Sequence, residues 1–510
     1  NISDASIALG VKGISKKDWN WDVSFTDGKN DFQYFGDQTF NASMLGNITK
    51  TRFDDGGFRF RQATINTDFS KQFKSVASGL NIAYGAEFRS EKYSINMGEE
   101  ASYALYTNPY DLAGGSQGFP GFSPSDTVTA TRTVFGVYGD AELNITDKWL
   151  VDGAVRFENY SDFGSVATFK LASRYKVSSD FNLRGSASTG FRAPSLQQIY
   201  FSNTLTSFSA GQLVQSRIAR NNDAITKLAG IPDLKEETSI NGSLGFSWKP
   251  AKGLTFTMDG YIVKVKDRVV LSGLFSADDA TLPVALTNAL KALNVSTAQF
   301  FANAVNTTNY GLDVVLDYST KIGKGNFKAL LAGNVQNITI DDIKVPSALN
   351  TTTLNRKTFF SDREEAFLKA SAPKAKIGLS LNYTLGKLGA GTNLTYYGKV
   401  LLKGFGDATP ENPNYAGINP MVPSDANGTY VPENFNYNGK VVTDVFVSFK
   451  LCKTASLFIG ADNVFNVHPD LGVVQAARGW AGDNESGGPW DSVQMGFNGR
   501  RLFGKIAFSF

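Results

Sequence analysis

The segment between residues 466 and 499 gathers Arg478, Trp480, Asp483, Glu485, Trp490 and Asp491 within Gly-rich sequence. Indole faces stack on sugar rings or aromatic groups and attract cations, and carboxylates add polar contacts. Trp480, Trp490, Asp491 and Arg478 are therefore candidate substrate-binding residues. Tyr430 joins them from a second polar segment, Asn412 to Tyr430. An aromatic girdle or a self-packed loop uses the same residue types. Acid–base chemistry has little to work with. The one histidine, His468, follows Asn463-Val-Phe-Asn466 and precedes Pro469, a strand-end setting. Nucleophilic catalysis needs an acid–base group beside the nucleophile. No GxSxG-type elbow is present, so the chain is expected not to be an enzyme. The single Cys452 can form neither an internal disulfide nor a cysteine metal cluster. Asp54, Asp55, Asp362, Glu364 and Glu365 are the carboxylates suited to Ca²⁺, but their spacing matches no known loop. No metal and no cofactor is expected.

These residues must be carried by some scaffold, and the charge balance narrows which. The chain has 510 residues, with 50 Lys+Arg against 47 Asp+Glu. A net charge of +3 leaves no electrostatic footprint for nucleic acid. No apolar run approaches the roughly 18 residues of a membrane helix. A membrane β-barrel escapes that test, because its lipid-facing and lumen-facing residues alternate. Fifty Gly, 39 Phe and 19 Tyr suit a Gly-kinked, aromatic-girdled sheet.

Alternation is clean. Val151, Gly153, Val155 and Phe157 share one face, and Asp152, Ala154, Arg156, Glu158 and Tyr160 the other. Phe135, Val137, Ala141 and Leu143 oppose Tyr138, Asp140 and Glu142. Period two means strands with one apolar and one polar face. The runs hold about 10–15 residues, the span of a tilted membrane strand, whereas soluble strands average about 5–6. Connections alternate between short turns, such as 145–149, 249–253 and 320–325, and long polar loops near 33–61, 96–130, 191–237, 269–307, 341–373, 402–438 and 466–499. Short turns on one rim and long loops on the other are how outer-membrane barrels are built. About 17 strands are expected, including 149–160, 181–190, 308–319 and 389–401. The carboxylates Asp152 and Glu158 beside Arg156 read as a solvated ion-pair ladder on the lumen face.

The stretch Gly190, Phe191, Arg192, Ala193, Pro194 and Ser195 resembles the GFRAPS signature of TonB-dependent outer-membrane receptors. In order after it, Ile231-Pro-Asp-Leu-Lys-Glu-Glu-Thr-Ser239 is similar to the family's NPxLKPETS element. Asp462-Asn-Val-Phe-Asn466 looks like its NLFD strand, and Gly85-Ala-Glu-Phe-Arg89 like its GxExR run. The alternating Leu502, Ile506, Phe508 and Phe510 look like an assembly signal. The resemblance implies an all-β, transmembrane antiparallel β-barrel of the type with about 22 strands. It implies uptake of a scarce solute at the Gram-negative outer membrane, by loop capture and plug movement. Implied partners are TonB, the solute, membrane lipid and a possible surface lipoprotein or other outer-membrane subunit. The family's plug and TonB box have no counterpart in this sequence, so residues 1–510 are expected to be barrel throughout, with the first strands lying outside them. The alternative is a structural barrel subunit of a larger assembly without transport. Haem receptors of the family carry a His between the first two motifs. Residues 195–230 contain none, which argues against haem. Within the GFRAPS segment, Gly190 permits a bend, Pro194 cannot donate to a ladder, and Arg192 is placed to meet a rim carboxylate.

Overall fold

The computed structural model describes every residue except 45–49, 108, 110, 111, 113, 210, 211, 372, 407–416, 479–492, 509 and 510. Sixteen antiparallel pairings link seventeen strands into one meander. They are β1 (Ile2–Ile14), β2 (Asn20–Asp37), β3 (Arg52–Phe73), β4 (Leu80–Asn96), β5 (Val128–Asn144), β6 (Trp149–Tyr160), β7 (Gly164–Lys176), β8 (Phe181–Arg192), β9 (Glu237–Ala251), β10 (Leu254–Leu271), β11 (Thr297–Ile322), β12 (Gly325–Ile343), β13 (Ala375–Leu385), β14 (Leu388–Tyr397), β15 (Lys440–Lys450), β16 (Ala455–Asp462) and β17 (Arg501–Phe508). The meander holds the expected number of strands, each with its counterpart. Among the described residues, seven further short strands lie in or beside the expected long loops, including Gln212–Ala219 and Asn434–Tyr437. Among the described residues β1 and β17 share no pairing, so the sheet is open between them.

The two faces follow the alternation. Leu9, Phe25, Ile65, Phe88 and Phe135 form one cross-strand row on neighbouring strands, and all five are exposed. Large side chains left in solvent over five consecutive strands would be costly in water; in a bilayer this face meets hydrocarbon. Towards the long-loop rim the same face turns polar. There Arg61 pairs with Asp27 at 2.9 Å and Arg59 with Asp31 at 2.6 Å. That change marks the upper edge of the lipid band. On the opposite face of β6, Asp152 and Glu158 are buried. Among the described residues no helix is long and apolar enough to cross a membrane.

The turns at one rim are tight, as between β9 and β10. Gly253 has φ +79°, and a Cβ there would collide with the Ser319 carbonyl of β11. At the other rim the expected loops are revised. Residues 33–37 and 52–61 belong to β2 and β3, and 297–307 to β11. These strands run past the lipid band because pairing with neighbours continues, through a register shift at Tyr34/Phe35. The expected strand 389–401 instead stops at Tyr397. Gly398 donates its amide to Ala375 at 2.7 Å, and Val400–Lys403 leaves to pair with Asn434–Tyr437.

The long loops carry packed cores of their own. Leu286 and Leu290 of the helix Val284–Ala292 pack with Phe275, Phe300, Leu349 and Phe359. Val400, Leu402, Val422 and Phe435 form a second cluster with Val474 and Ala477. Tyr93, Ile95, Phe122 and Leu196 form a third. The loops are therefore a built rim. We predict that Phe88→Arg, on the lipid face, costs about 2–4 kcal/mol in urea titrations of the protein folded into vesicles. A cost near zero would remove this face from the bilayer.

Candidate solute-binding rim and lumen charge network

The segment Gly190–Ser195 closes β8, and each residue with a polar task finds a partner. Arg192 lies opposite Glu237 in the β8/β9 register. Its Nε donates to Glu237 Oε2 at 3.1 Å, and Nη2 donates to Oε1. Glu237 is buried and also accepts the Val269 amide at 2.8 Å. The first two sequence motifs are thus two halves of one contact. Phe191 packs edge-to-face on Tyr160 with ring centres 5.9 Å apart. The Pro194 carbonyl accepts from Arg132 at 2.8 Å. Ser195 then caps the short helix Leu196–Tyr200. Its Oγ accepts the Gln198 amide at 3.1 Å, and Gln198 Oε1 accepts the Ser195 amide at 3.1 Å. Leu196 enters the third loop core. A polar strand end, a proline stop and a reciprocal cap explain the local chain path without any ligand.

Below this corner lies a charge network on the inner faces of β4, β5 and β6. Arg89 reaches Glu87 and Glu91, each at 3.0 Å. Arg156 reaches Glu87 at 3.2 Å and Glu158 at 2.5 Å. The Tyr160 hydroxyl donates to Glu158 at 2.7 Å and accepts from Arg89 at 3.1 Å. Arg132, with a side chain only 2% exposed, binds Asp162 at 2.6 Å and lies over the rings of Tyr160 and Phe163. A buried cation persists only when paired and hydrogen-bonded. Arg132 meets that demand with two carboxylates, Asp162 and, at 3.5 Å, Glu91, a carbonyl and two π-faces. The expected Arg156–Glu158 ladder is present and extends to Lys170–Asp152 at 2.5 Å. Glu87 and Arg89 are the two charged residues of the GxExR run. Arg132 and Asp162 escaped sequence reading, because nothing local in the sequence joins them to Pro194.

The candidate substrate-binding residues divide. Trp480, Trp490 and Asp491 lie outside the described residues, as does the strand-end Phe510. Arg478 is exposed and follows the turn Gln475–Ala477. Tyr430 begins Tyr430–Pro432, which pairs with Met421–Pro423. Ala477 and Val474 share a core with Val422 and Val431, so the structure brings these two loops together. His468 contacts the Phe497 carbonyl through Nδ1 at 3.1 Å, a loop–loop tie. The carboxylates considered for Ca²⁺ are held by protein groups. Glu365 pairs with Lys369, Glu364 with Arg363 at 3.0 Å, and Asp55 accepts from Ser116 at 3.0 Å.

Asp470 fastens the loop after β16 to the start of β15. It accepts from Lys440 at 2.6 Å and from the Asn438 amide at 2.6 Å. Partial burial alone would raise its carboxyl, but these two donors hold it below the ordinary value.

With this geometry in place the comparisons decide the family. Residues 4–464 match the family described as TonB dependent receptor-like, beta-barrel. The chain belongs to that family. It is 26% identical over 198 residues to a vitamin B12 transporter, BtuB, of Photobacterium profundum, covering 36% of this chain and 30% of that protein. It is 27% identical over 175 residues to the ferrienterobactin receptor of Escherichia coli, covering 33% and 22%. A solved ferric enterobactin receptor, PfeA of Pseudomonas aeruginosa, superposes with TM-score 0.61 at 15% identity, covering all of this chain and 62% of that one. That likeness speaks for the fold. The chain spans less than a third of the length of these curated relatives.

Two outcomes follow. Ser195→Ala should cost about 1 kcal/mol locally, seen as faster hydrogen exchange at 198–201 with the barrel strands unchanged. The Asp470 tie is fully present above the ordinary Asp pKa of about 3.9 and is lost as pH falls through the lower folded value. Protease cleavage within 466–478 should therefore rise below about pH 4, and Asp470→Asn should show the raised cleavage already at neutral pH.

Proposed function

We propose that this chain is the barrel of an outer-membrane receptor that imports a scarce solute in a TonB-dependent manner. The observation that carries this reading is the combination of an outward apolar face with a charged inner face and a rim of packed loops. An apolar outer band suits a sheet embedded in lipid. An inner face that carries charged groups such as Arg89, Arg156 and their carboxylates suits a polar interior. Loops with their own cores can present side chains at fixed positions, which lowers the ordering cost of binding.

In this reading the solute is captured at the rim by the loops carrying Tyr430, Arg478, Trp480, Trp490 and Asp491. The Gly190–Ser195 segment acts as the corner that aims the loop after β8, through Arg192–Glu237 and the Ser195 cap. The motor is TonB acting on a plug, as the family implies, at the outer membrane of a Gram-negative cell. The relatives named above are a transporter and two receptors, which supports import over a purely structural barrel. No enzymatic step is needed for this role.

Deletion of the gene should abolish uptake of one scarce solute and restore with the intact gene. Radiolabelled cobalamin and ferric enterobactin are the first two probes, followed by other chelates and oligosaccharides. Unchanged uptake of every solute tested, with no binding to purified protein, would defeat the reading.

A further inference from the structure

Eight short turns form one rim of the sheet, the first between β1 and β2 and the last between β15 and β16. Seven of them carry lysine, and together they hold eight lysines against three aspartates, with no arginine or glutamate. The whole chain carries only +3, so positive charge is concentrated at this rim. All eight lysines are exposed. None has an ion pair among the described residues, whereas Lys50, Lys227 and Lys291 of the long loops pair with Glu99, Asp233 and Asp278.

The lipid face ends at the same rim in aromatic rings. Trp149 stands opposite Tyr175, and Trp248 opposite Phe181. Trp19 packs edge-to-face on Tyr84 and Phe73, with ring centres 5.5 and 6.2 Å apart. Such rings settle at the headgroup level of a bilayer. Each turn lysine lies within four residues of a rim aromatic, as Lys17 of Trp19, Lys148 of Trp149 and Lys324 of Phe327. At about 3.3 Å per residue, Lys17 and Lys148 reach no more than about 7 Å beyond the rings. The headgroup layer is roughly 5–8 Å deep on each side, which puts these tips among the headgroups. Neighbouring turns are also stitched together. The Lys176 amide donates to the Lys148 carbonyl at 2.8 Å, and the Lys450 amide to the Lys387 carbonyl at 2.8 Å. Lys71 Nζ donates to the Lys17 carbonyl at 2.7 Å and lies 5.2 Å from the Phe73 ring centre.

A ring of ammonium groups at headgroup depth, with few carboxylates to offset it, matches anions at that depth. Lysine is a compact point charge that suits a phosphodiester without demanding a fixed geometry. A zwitterionic headgroup offers the same phosphate beside an ammonium, which the ring repels. We propose that the short-turn rim binds anionic phospholipid headgroups of the adjoining leaflet, with the turn lysines on the phosphodiesters and the aromatics setting the depth. The inference goes beyond the receptor reading and takes from it only the membrane setting of the sheet.

The test uses the full protein purified from native outer membranes in detergent. Native mass spectrometry counts bound lipid as phosphatidylglycerol or phosphatidylethanolamine with identical chains is added. Phosphatidylglycerol should be retained at lower concentration, and the preference should shrink as ammonium acetate rises from about 0.05 to about 0.5 M. A fourfold variant combines Lys17→Gln, Lys148→Gln, Lys324→Gln and Lys387→Gln. It should bind phosphatidylglycerol roughly tenfold or more weakly, since each lysine near an anionic surface is worth about fivefold. The same four changed to Arg should keep the preference, because the charge is kept. Lys227→Gln, Lys291→Gln, Lys357→Gln and Lys369→Gln together remove equal charge from the long loops and should leave the preference in place. Heat-modifiable gel mobility reports folding of each variant. If the fourfold Gln variant fails to fold, the pair Lys324→Gln and Lys387→Gln and the salt dependence carry the test. Equal retention of the two lipids, an unchanged preference in the folded fourfold variant, or an equal loss in the long-loop variant would overturn the proposal. Pelleting with purified peptidoglycan that the fourfold variant loses, with the two lipids retained equally, would assign the rim to the cell wall and overturn it too. If the lipids are retained equally while gene deletion still abolishes uptake of a solute, the rim assignment falls and the receptor reading stands. If the lipid preference holds but uptake of every solute survives deletion, the receptor reading falls instead.

Discussion

Backbone hydrogen bonding in an apolar medium is the constraint on which this structure depends. Hydrocarbon offers no partner for an unpaired N–H or C=O, so a chain crossing it as strands must pair each strand with a neighbour. The meander does this for β2 to β16, each paired on both sides, while β1 and β17 are paired on one side only among the described residues. Once pairing is compulsory, the pleat divides the side chains into two sets. One set, including Leu9, Phe25, Ile65, Phe88 and Phe135, meets lipid. The other is free to be polar, and the charge network exists because that face is not required to be apolar.

Burial sets what the polar face must look like. Arg132 and Glu158 are almost sealed, and an isolated ion in that setting would be intolerable. Arg132 is therefore tied to Glu91, Asp162 and the Pro194 carbonyl from other segments, and Glu158 to Arg156 and Tyr160 of its own strand. Arg268 stands in contrast. Unlike Arg132 and Arg156, it has no carboxylate within ion-pair distance among the described residues, and its Nε is buried without a hydrogen-bond partner, as are those of Arg89, Arg217 and Arg220.

The rim obeys different physics. Outside the lipid band, water can satisfy the backbone, and pairing is no longer compulsory. The loops instead bury Leu286, Leu290, Phe300 and Phe359, or Val422, Phe435 and Val474, in local cores. Strands continue above the band where a neighbour still offers pairing, as in β2, β3 and β11, and stop where Gly398 turns the chain. The loops that carry Tyr430 and Arg478 share one core.

By itself the sequence determined the number of strands in the meander, the two faces of the strands near 135–143 and 151–160, and the family. These are readable because period-two alternation is a local property and the motifs are contiguous. It also placed Arg156 beside Glu158, two residues apart on one face. Tertiary structure decided the rest. That Arg192 meets Glu237 across 45 positions, that Arg132 supports Pro194 from 62 positions away, and that Lys176 is stitched to Lys148 at the short-turn rim all depend on strand register, which no local pattern encodes. The ends of β2, β3 and β11 were misjudged for the same reason: above the membrane, strand length is set by whether a partner is present.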